Sequence, residues 1–158
     1  MPQFQTKRRI AHSAAEMFAL VADIERYPEF VPLCNGMRVI SREREGPREV
    51  VTASMTVAYK LIKESFTSRV MLDPEAGQIH VSYVDGPFRY LENVWSFHAL
   101  DEASCDVRFS ISYEFRSRLL QTLMGAVFDS AFRKFADAFE ARADAIYGRG
   151  RTSPASAS

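Results

Sequence analysis

The sequence predicts an α+β domain: one curved antiparallel sheet of about seven strands laid with its dry face on a long carboxyl-terminal helix. Three observations carry this. The segment CDVRFSISYEF places Cys105, Val107, Phe109, Ile111, Tyr113 and Phe115 on one face and Asp106, Arg108, Ser110, Ser112 and Glu114 on the other. Such strict alternation belongs to a strand with one dry and one wet side, which favours antiparallel pairing. Further runs share that period of two and are divided by turn residues. The last long segment changes to helical spacing, with Phe128, Phe132, Phe135 and Phe139 in one narrow sector.

The elements follow in order. A strand is expected near residues 4–10. Ser13-Ala14-Ala15-Glu16 then fits a capping box, in which serine and glutamate satisfy the free amides of a first helical turn, so a helix is expected over about residues 13–23. The stretch VADIERYPEFVPLC, residues 21–34, holds Pro28 and Pro32 four residues apart. Proline lacks an amide hydrogen and crowds the preceding turn, so a short helical turn and a loop are expected there. Tyr27, Phe30, Val31 and Leu33 make that stretch too apolar for an ordinary solvated loop.

Period two resumes near residues 37–44. It continues through Val51, Ala53, Met55 and Val57, then Phe66, Val70 and Leu72, then Ile79, Val81 and Tyr83, then Leu91, Trp95 and Phe97. Gly46-Pro47, Asp73-Pro74 with Gly77, Asp85-Gly86-Pro87 and Asp101-Glu102 mark the turns. The closing helix, about residues 117–147, would be about 45 Å long at 1.5 Å per residue. Arg133, Asp137, Glu140 and Asp144 form its wet side, while Leu119 and Leu123 make its start apolar nearly all round.

A chain of 158 residues fits one domain that buries roughly 70% of its unfolded surface. Residues 1–148 are read as that domain and residues 149–158, small and polar, as a disordered tail. Twenty basic and twenty acidic residues cancel, so nothing in the net charge singles out nucleic acid as a ligand. Cys34 and Cys105 stand far apart and are read as reduced, packed thiols, with neither zinc site nor disulfide framework. The amino terminus lacks the apolar run of a secretory signal and no stretch approaches a membrane span, so the expected location is cytoplasmic.

Catalytic constellations are missing from the pattern. No metal-ligand spacing, phosphate loop or serine elbow is present, and His12, His80 and His98 read as solvated. The inward phase offers mainly Tyr59, Tyr83 and Tyr113, poor bases at neutral pH but adequate hydrogen-bond donors. Ala53 and Ser68 face inward beside large residues, which leaves room for a hollow between sheet and helix. Leu119, Leu123 and Met124, with Phe88 in the turn before Tyr90, are placed at its mouth, where they would dock on a bilayer or a partner enzyme. Gly125 lies inside the closing helix; it either permits a close approach or is simply tolerated.

Four blocks in this order, YPEFVPLC, DGPFRYLENVWSFHAL, CDVRFSISYEF and FRKFADAFEARADAIY, resemble the coenzyme Q-binding branch of the START-like, or helix-grip, superfamily. That branch includes mitochondrial ubiquinone-binding proteins and the bacterial ribosome association toxin family, within a broader polyketide cyclase/dehydrase-like group. The resemblance covers about residues 2–147. It implies a sheet wrapped around the last helix, a hydrophobic tunnel for a prenyl quinone such as ubiquinone, and short helices that close one end.

On that implication Tyr27, Phe30, Val31 and Leu33 either line the tunnel as a lid or plug the core. The other candidate ligand contacts are Phe66, Tyr83, Phe88, Trp95, Phe109, Tyr113, Met124, Phe128 and Phe132. The expected role is a non-enzymatic carrier of ubiquinone or a related prenyl quinone, held as ligand with no further cofactor, serving respiratory or quinone-biosynthesis enzymes. Peripheral contact would be at the inner face of the membrane. The alternatives are ribosome association through Lys7-Arg8-Arg9 and residues 42–48, and a small-molecule cyclase.

Overall fold

The computed structural model describes residues 3–148; the expected tail lies outside them. β1 (Gln3–Ile10) leads into α1 (Ala14–Ala22) and a 3-10 helix (Ile24–Glu29). Then come β2 (Cys34–Glu45), β3 (Arg48–Tyr59), β4 (Ile62–Asp73), β5 (Gln78–Asp85), β6 (Phe88–Ala99), β7 (Cys105–Phe115) and α2 (Arg118–Tyr147). The strands form one antiparallel sheet in the order β1-β7-β6-β5-β4-β3-β2. β1 and β2 are its two edges, so the sheet is open, and α1 with the 3-10 helix carries the chain from one edge to the other.

Local chemistry sets the element ends. Ser13 Oγ accepts from the Glu16 amide while the Glu16 carboxylate accepts from the Ser13 amide, completing the capping box. Ser117 caps α2 by accepting from the Leu120 amide, and Gly148 stops it at a φ of 90° that glycine adopts without strain. All six inward residues of β7 are buried, as the alternation demands. On α2 the buried side comprises Met124, Phe128, Ala131, Phe132, Ala136, Phe139 and Ala143. Leu119 and Leu123 stay 67% and 51% exposed on the first turns.

The expected mouth at Phe88 and Met124 is corrected. Counting back by two from Leu91 would turn Arg89 inward, but a register shift between Phe88 and Tyr90 breaks the phase and swings Phe88 into the core. Phe88 is fully buried: its ring stacks on Phe115 at 4.7 Å and meets Phe66, Tyr83, Tyr113 and Phe128 at 5.2–6.1 Å. Met124 is buried beside them. This end of the molecule is solid.

His12 is corrected as well. It is fully buried, and its Nε2 donates to the Asp144 carboxylate at 2.7 Å, pinning the last turns of α2 to the end of β1. His80 is half-buried and bonded to Gln78, while His98 is exposed. Both cysteines are buried free thiols, each pushed up to about 11 chiefly by desolvation.

Gly125 has a specific use. A Cβ there would lie 2.7 Å from Nε2 of Gln121, whose Oε1 accepts from the Phe115 amide. The missing side chain makes room for Gln121 to bridge from α2 to the end of β7. The Gly125 carbonyl also accepts from the Tyr113 hydroxyl at 3.3 Å.

Candidate functional site: a cavity between sheet and helix

A cavity of about 100 Å³ lies between the concave face of the sheet and α2. The reason is side-chain size. Ala53 on β3, Ser68 on β4 and Ala131 on α2 point into the space that larger residues fill elsewhere, and the flanking rings cannot close the gap. Phe128, Phe132, Phe135 and Phe139 make the helix wall, with Trp95, Ile111, Val70 and Ile79 among the residues opposite.

Residues 24–33 form the remaining wall. Ile24, Tyr27, Pro32 and Leu33 face the cavity, joined by Met37 from β2 and Met55 and Val57 from β3. Tyr27 and Phe30 set their rings edge-on against Phe139 at 5.4 and 5.0 Å. Arg142 of α2 pairs with Glu29 and lays its guanidinium over Phe30, clasping this segment to the helix. Leu33 adopts a φ of 68°, a conformation that costs a branched side chain of this kind about 1–3 kcal/mol. The Leu33 carbonyl then accepts from the Ala58 amide at 3.0 Å, which anchors the bend to β3.

Of the sequence-predicted residues, Tyr27, Leu33, Phe66, Trp95, Phe128 and Phe132 line the cavity. Phe30 and Val31 instead back the lid. Phe109 supports Trp95 from behind, ring centroids 4.7 Å apart. Tyr83, Phe88, Tyr113 and Met124 belong to the solid end. Both tyrosines there spend their hydroxyls on the backbone, Tyr83 accepting from the Phe88 amide and Tyr113 donating to the Gly125 carbonyl.

Among the described residues the polar groups of the wall are few: Tyr27, Ser68 and Asn93, with the indole N–H of Trp95. The Tyr27 hydroxyl donates to the Val21 carbonyl, and burial drives its pKa far above the usual phenol range. Ser68 and Asn93 are both buried. Asn93 escaped the sequence reading although its signal was present: it shares the inward phase of β6 with Leu91, Trp95 and Phe97, where an amide is out of pattern. Pro32, Met37 and Met55 were also missed as wall residues, because alternation assigns a face and says nothing of which part of that face is hollow.

A cavity of about 100 Å³ is smaller than the ~150 Å³ cavity that admits one benzene ring. Even a single ring therefore requires the lid or the methionines to shift. Unbranched Met37 and Met55 are suited to that, having three rotatable bonds and a polarizable sulfur. The close backbone approaches of α2 are mainly to β1, β7 and α1, so its looser side faces β2 to β4, where these methionines lie.

Comparison with known proteins adds four findings. Residues 10–140 match the family described as polyketide cyclase/dehydrase and lipid transport. A ribosome association toxin, RatA, of Vibrio cholerae is 36% identical over 148 residues, 94% of this chain and 99% of that protein. The coenzyme Q-binding protein COQ10 homolog B, mitochondrial, of Xenopus laevis is 30% identical over 93% of this chain and 60% of its own length. Among solved structures, a START superfamily protein from Mycobacterium smegmatis superposes with a TM-score of 0.75 at 20% identity, covering 91% of this chain and 98% of its own. That last likeness establishes the helix-grip fold.

Proposed function

The chain belongs to the polyketide cyclase/dehydrase and lipid transport family, and from that premise we propose that it is a non-catalytic carrier of an apolar, prenylated ligand, most simply a prenyl quinone. The observation that carries this reading is the cavity between sheet and α2, walled almost wholly by apolar side chains. An isoprenoid tail gains ~25 cal/mol for each Å² of apolar surface withdrawn from water there. The COQ10-named relative supports the choice of ligand. Respiratory or quinone-biosynthesis enzymes are the receiving partners this reading implies.

Turnover is disfavoured by the wall itself. Among the described residues its one ionisable side chain is Tyr27, whose pKa burial raises and whose hydroxyl is already bonded to the Val21 carbonyl. General acid-base chemistry needs a group that titrates near ambient pH, so the cyclase alternative has no candidate proton carrier in this cavity.

Organic extraction of the natively purified protein, followed by mass spectrometry, is the test. A co-purifying prenyl lipid is expected. Protein that is empty in every preparation and also fails to take up an added short-chain prenyl quinone overturns the proposal.

A carrier also calls for a lipid-facing surface, and the candidate lies at the solid end, where it would dock the protein without opening onto the cavity. The register puts the β3–β4 hairpin and the start of α2 at the same end of the sheet, exposing Leu61, Leu119 and Leu123 beside Lys60, Lys63, Arg116 and Arg118. None of these four cations makes an ion pair among the described residues, whose acidic members at this end are Glu64, Asp85 and Glu114. Exposed leucines flanked by cations suit the interface of an anionic bilayer. Among the described residues no helix is long and apolar enough to cross a membrane. Flotation with anionic liposomes should be lost in Leu119→Asp/Leu123→Asp while circular dichroism is unchanged.

A second reading, association with the ribosome, is favoured by the relative named for it. Lys7 and Arg8 are committed to Asp106 and to Asp137 and Glu140. Among the described residues Arg9 on β1 and Arg38, Arg44 and Arg48 on β2 and β3 are exposed without an ion pair, so an RNA contact would draw most of its charge from that hairpin. Co-sedimentation with ribosomes that weakens steeply with salt and with Arg44→Ala/Arg48→Ala supports this reading.

A further inference from the structure

Two polar side chains of the cavity wall have hydrogen-bonding capacity to spare, and both are more than nine-tenths buried. Ser68 on β4 is 6% exposed, and its Oγ has no hydrogen-bond partner among the described residues. Asn93 on β6 is 9% exposed. Its Nδ2 donates to the Ser110 carbonyl at 2.8 Å, which holds the carboxamide in place. The amide oxygen and the second N–H have no protein partner among the described residues.

Neither residue is needed to fill the core. Their neighbours at equivalent inward positions are Val70, Leu91 and Trp95, and an apolar side chain at 68 or 93 would avoid the full desolvation cost of a polar atom left unpaired. The positions of the two are also related. Ser68 stands one inward step from Val70, which pairs with Val81, which in turn pairs with Asn93. Two strand spacings across the sheet and a two-residue step along β4 separate their Cα atoms, on the order of 12 Å. The two side chains are too far apart to bond each other, so a ligand lying between them would take a hydrogen bond of ~2.8 Å at each end.

The wall also says what the ligand is not. Among the described residues no lysine, arginine or histidine lines the cavity, so a carboxylate or phosphate would be buried there without a counter-charge. A hydroxyl and a carboxamide each both donate and accept. They can hold a ring carbonyl or a ring hydroxyl equally well.

We propose that Ser68 and Asn93 form a polar clamp for a neutral ring bearing oxygens at opposite positions, with the apolar remainder of the ligand lying along the phenylalanine wall of α2. This rests on the lipid-carrier reading above and names the head group that the carrier selects. Ser68 Oγ bonds one ring oxygen and the Asn93 carboxamide bonds the other, whichever oxidation state the ring is in.

Calorimetric titration separates the two ideas. The probes are a 1,4-benzoquinone with one short prenyl chain, the same prenyl chain on benzene, and a fatty acid of matched length, each against wild type, Ser68→Ala and Asn93→Leu. Wild type should prefer the quinone about tenfold over the prenylbenzene, the size of one well-formed hydrogen bond, and reject the fatty acid. Each substitution should remove most of that preference and leave prenylbenzene affinity unchanged.

Equal wild-type affinity for quinone and prenylbenzene overturns the clamp and leaves the carrier reading standing, as does a parallel loss of both ligands in the variants. Binding of neither ligand overturns the carrier reading and the clamp with it. Ser68→Ala removes a hydroxyl that has no protein partner, so its melting temperature should be no lower than wild type. That arm decides the matter even if Asn93→Leu unfolds.

Discussion

The same sheet and the same helix produce a solid block at one end and a hollow a few residues further along. Where β6 begins and β7 ends, Phe88 is fully buried among the rings of Phe66, Tyr83, Tyr113, Phe115 and Phe128. Along the middle of α2, Ala53, Ser68 and Ala131 occupy equivalent inward positions and a cavity of about 100 Å³ remains. Backbone architecture is continuous across both regions. The hollow is therefore a property of side-chain volume at a handful of positions, which makes it separable from folding by mutation.

The largest expected effect lies at the solid end. Phe88→Ala should lower unfolding free energy by about 3–5 kcal/mol in a denaturant titration, since an aromatic ring with five ring neighbours is deleted. A loss below about 1 kcal/mol would mean that this end is as yielding as the hollow. Next comes ligand uptake in Ala53→Leu. Filling the hollow should abolish binding of a prenyl ligand while changing stability by no more than about 1 kcal/mol. The same enlargement at the fully buried Ala143 should cost about 1–3 kcal/mol.

A smaller effect concerns alkaline pH. Burial, and then the charge of Asp129, push the Tyr113 phenol up to about 12 from its ordinary 10. The folded chain thus holds this proton more tightly than the unfolded chain does. Its contribution is intact below pH 10 and drains away as pH climbs toward about 12. Tyr113→Phe should flatten that part of the stability profile measured by chemical denaturation. The smallest change is at the clasp: Arg142→Ala should cost less than about 1 kcal/mol, because the pair is partly solvated. It should nonetheless speed ligand uptake in stopped-flow mixing, because Glu29 no longer ties the lid to α2.

The solid end and the hollow were not equally legible in the sequence. Alternation placed every inward residue of β7 and most of those on β3 to β6, because a half-buried strand leaves no other option at period two. It failed at Phe88, where a bulge resets the phase and no local residue announces it. His12 was misjudged for a different reason: the Asp144 carboxylate that accepts its hydrogen bond lies 132 residues away. The small residues Ala53 and Ser68 were readable as a deficit of volume. Whether neighbouring rings would close over that deficit depends on curvature and helix placement, which no linear pattern encodes, and so Phe30, Phe109 and Tyr113 could not be told apart from Trp95 and Phe132.

The two thiols give this molecule a pair of internal stopwatches. Cys34 is 8% exposed at the hinge where the lid meets β2, its amide donating to the Val31 carbonyl, whereas Cys105 is fully shut inside the sheet. Both resist ionisation, so an alkylating reagent must wait for the backbone around each sulfur to part. Labelling at Cys34 then times excursions of the doorway, and labelling at Cys105 times dissolution of the whole domain.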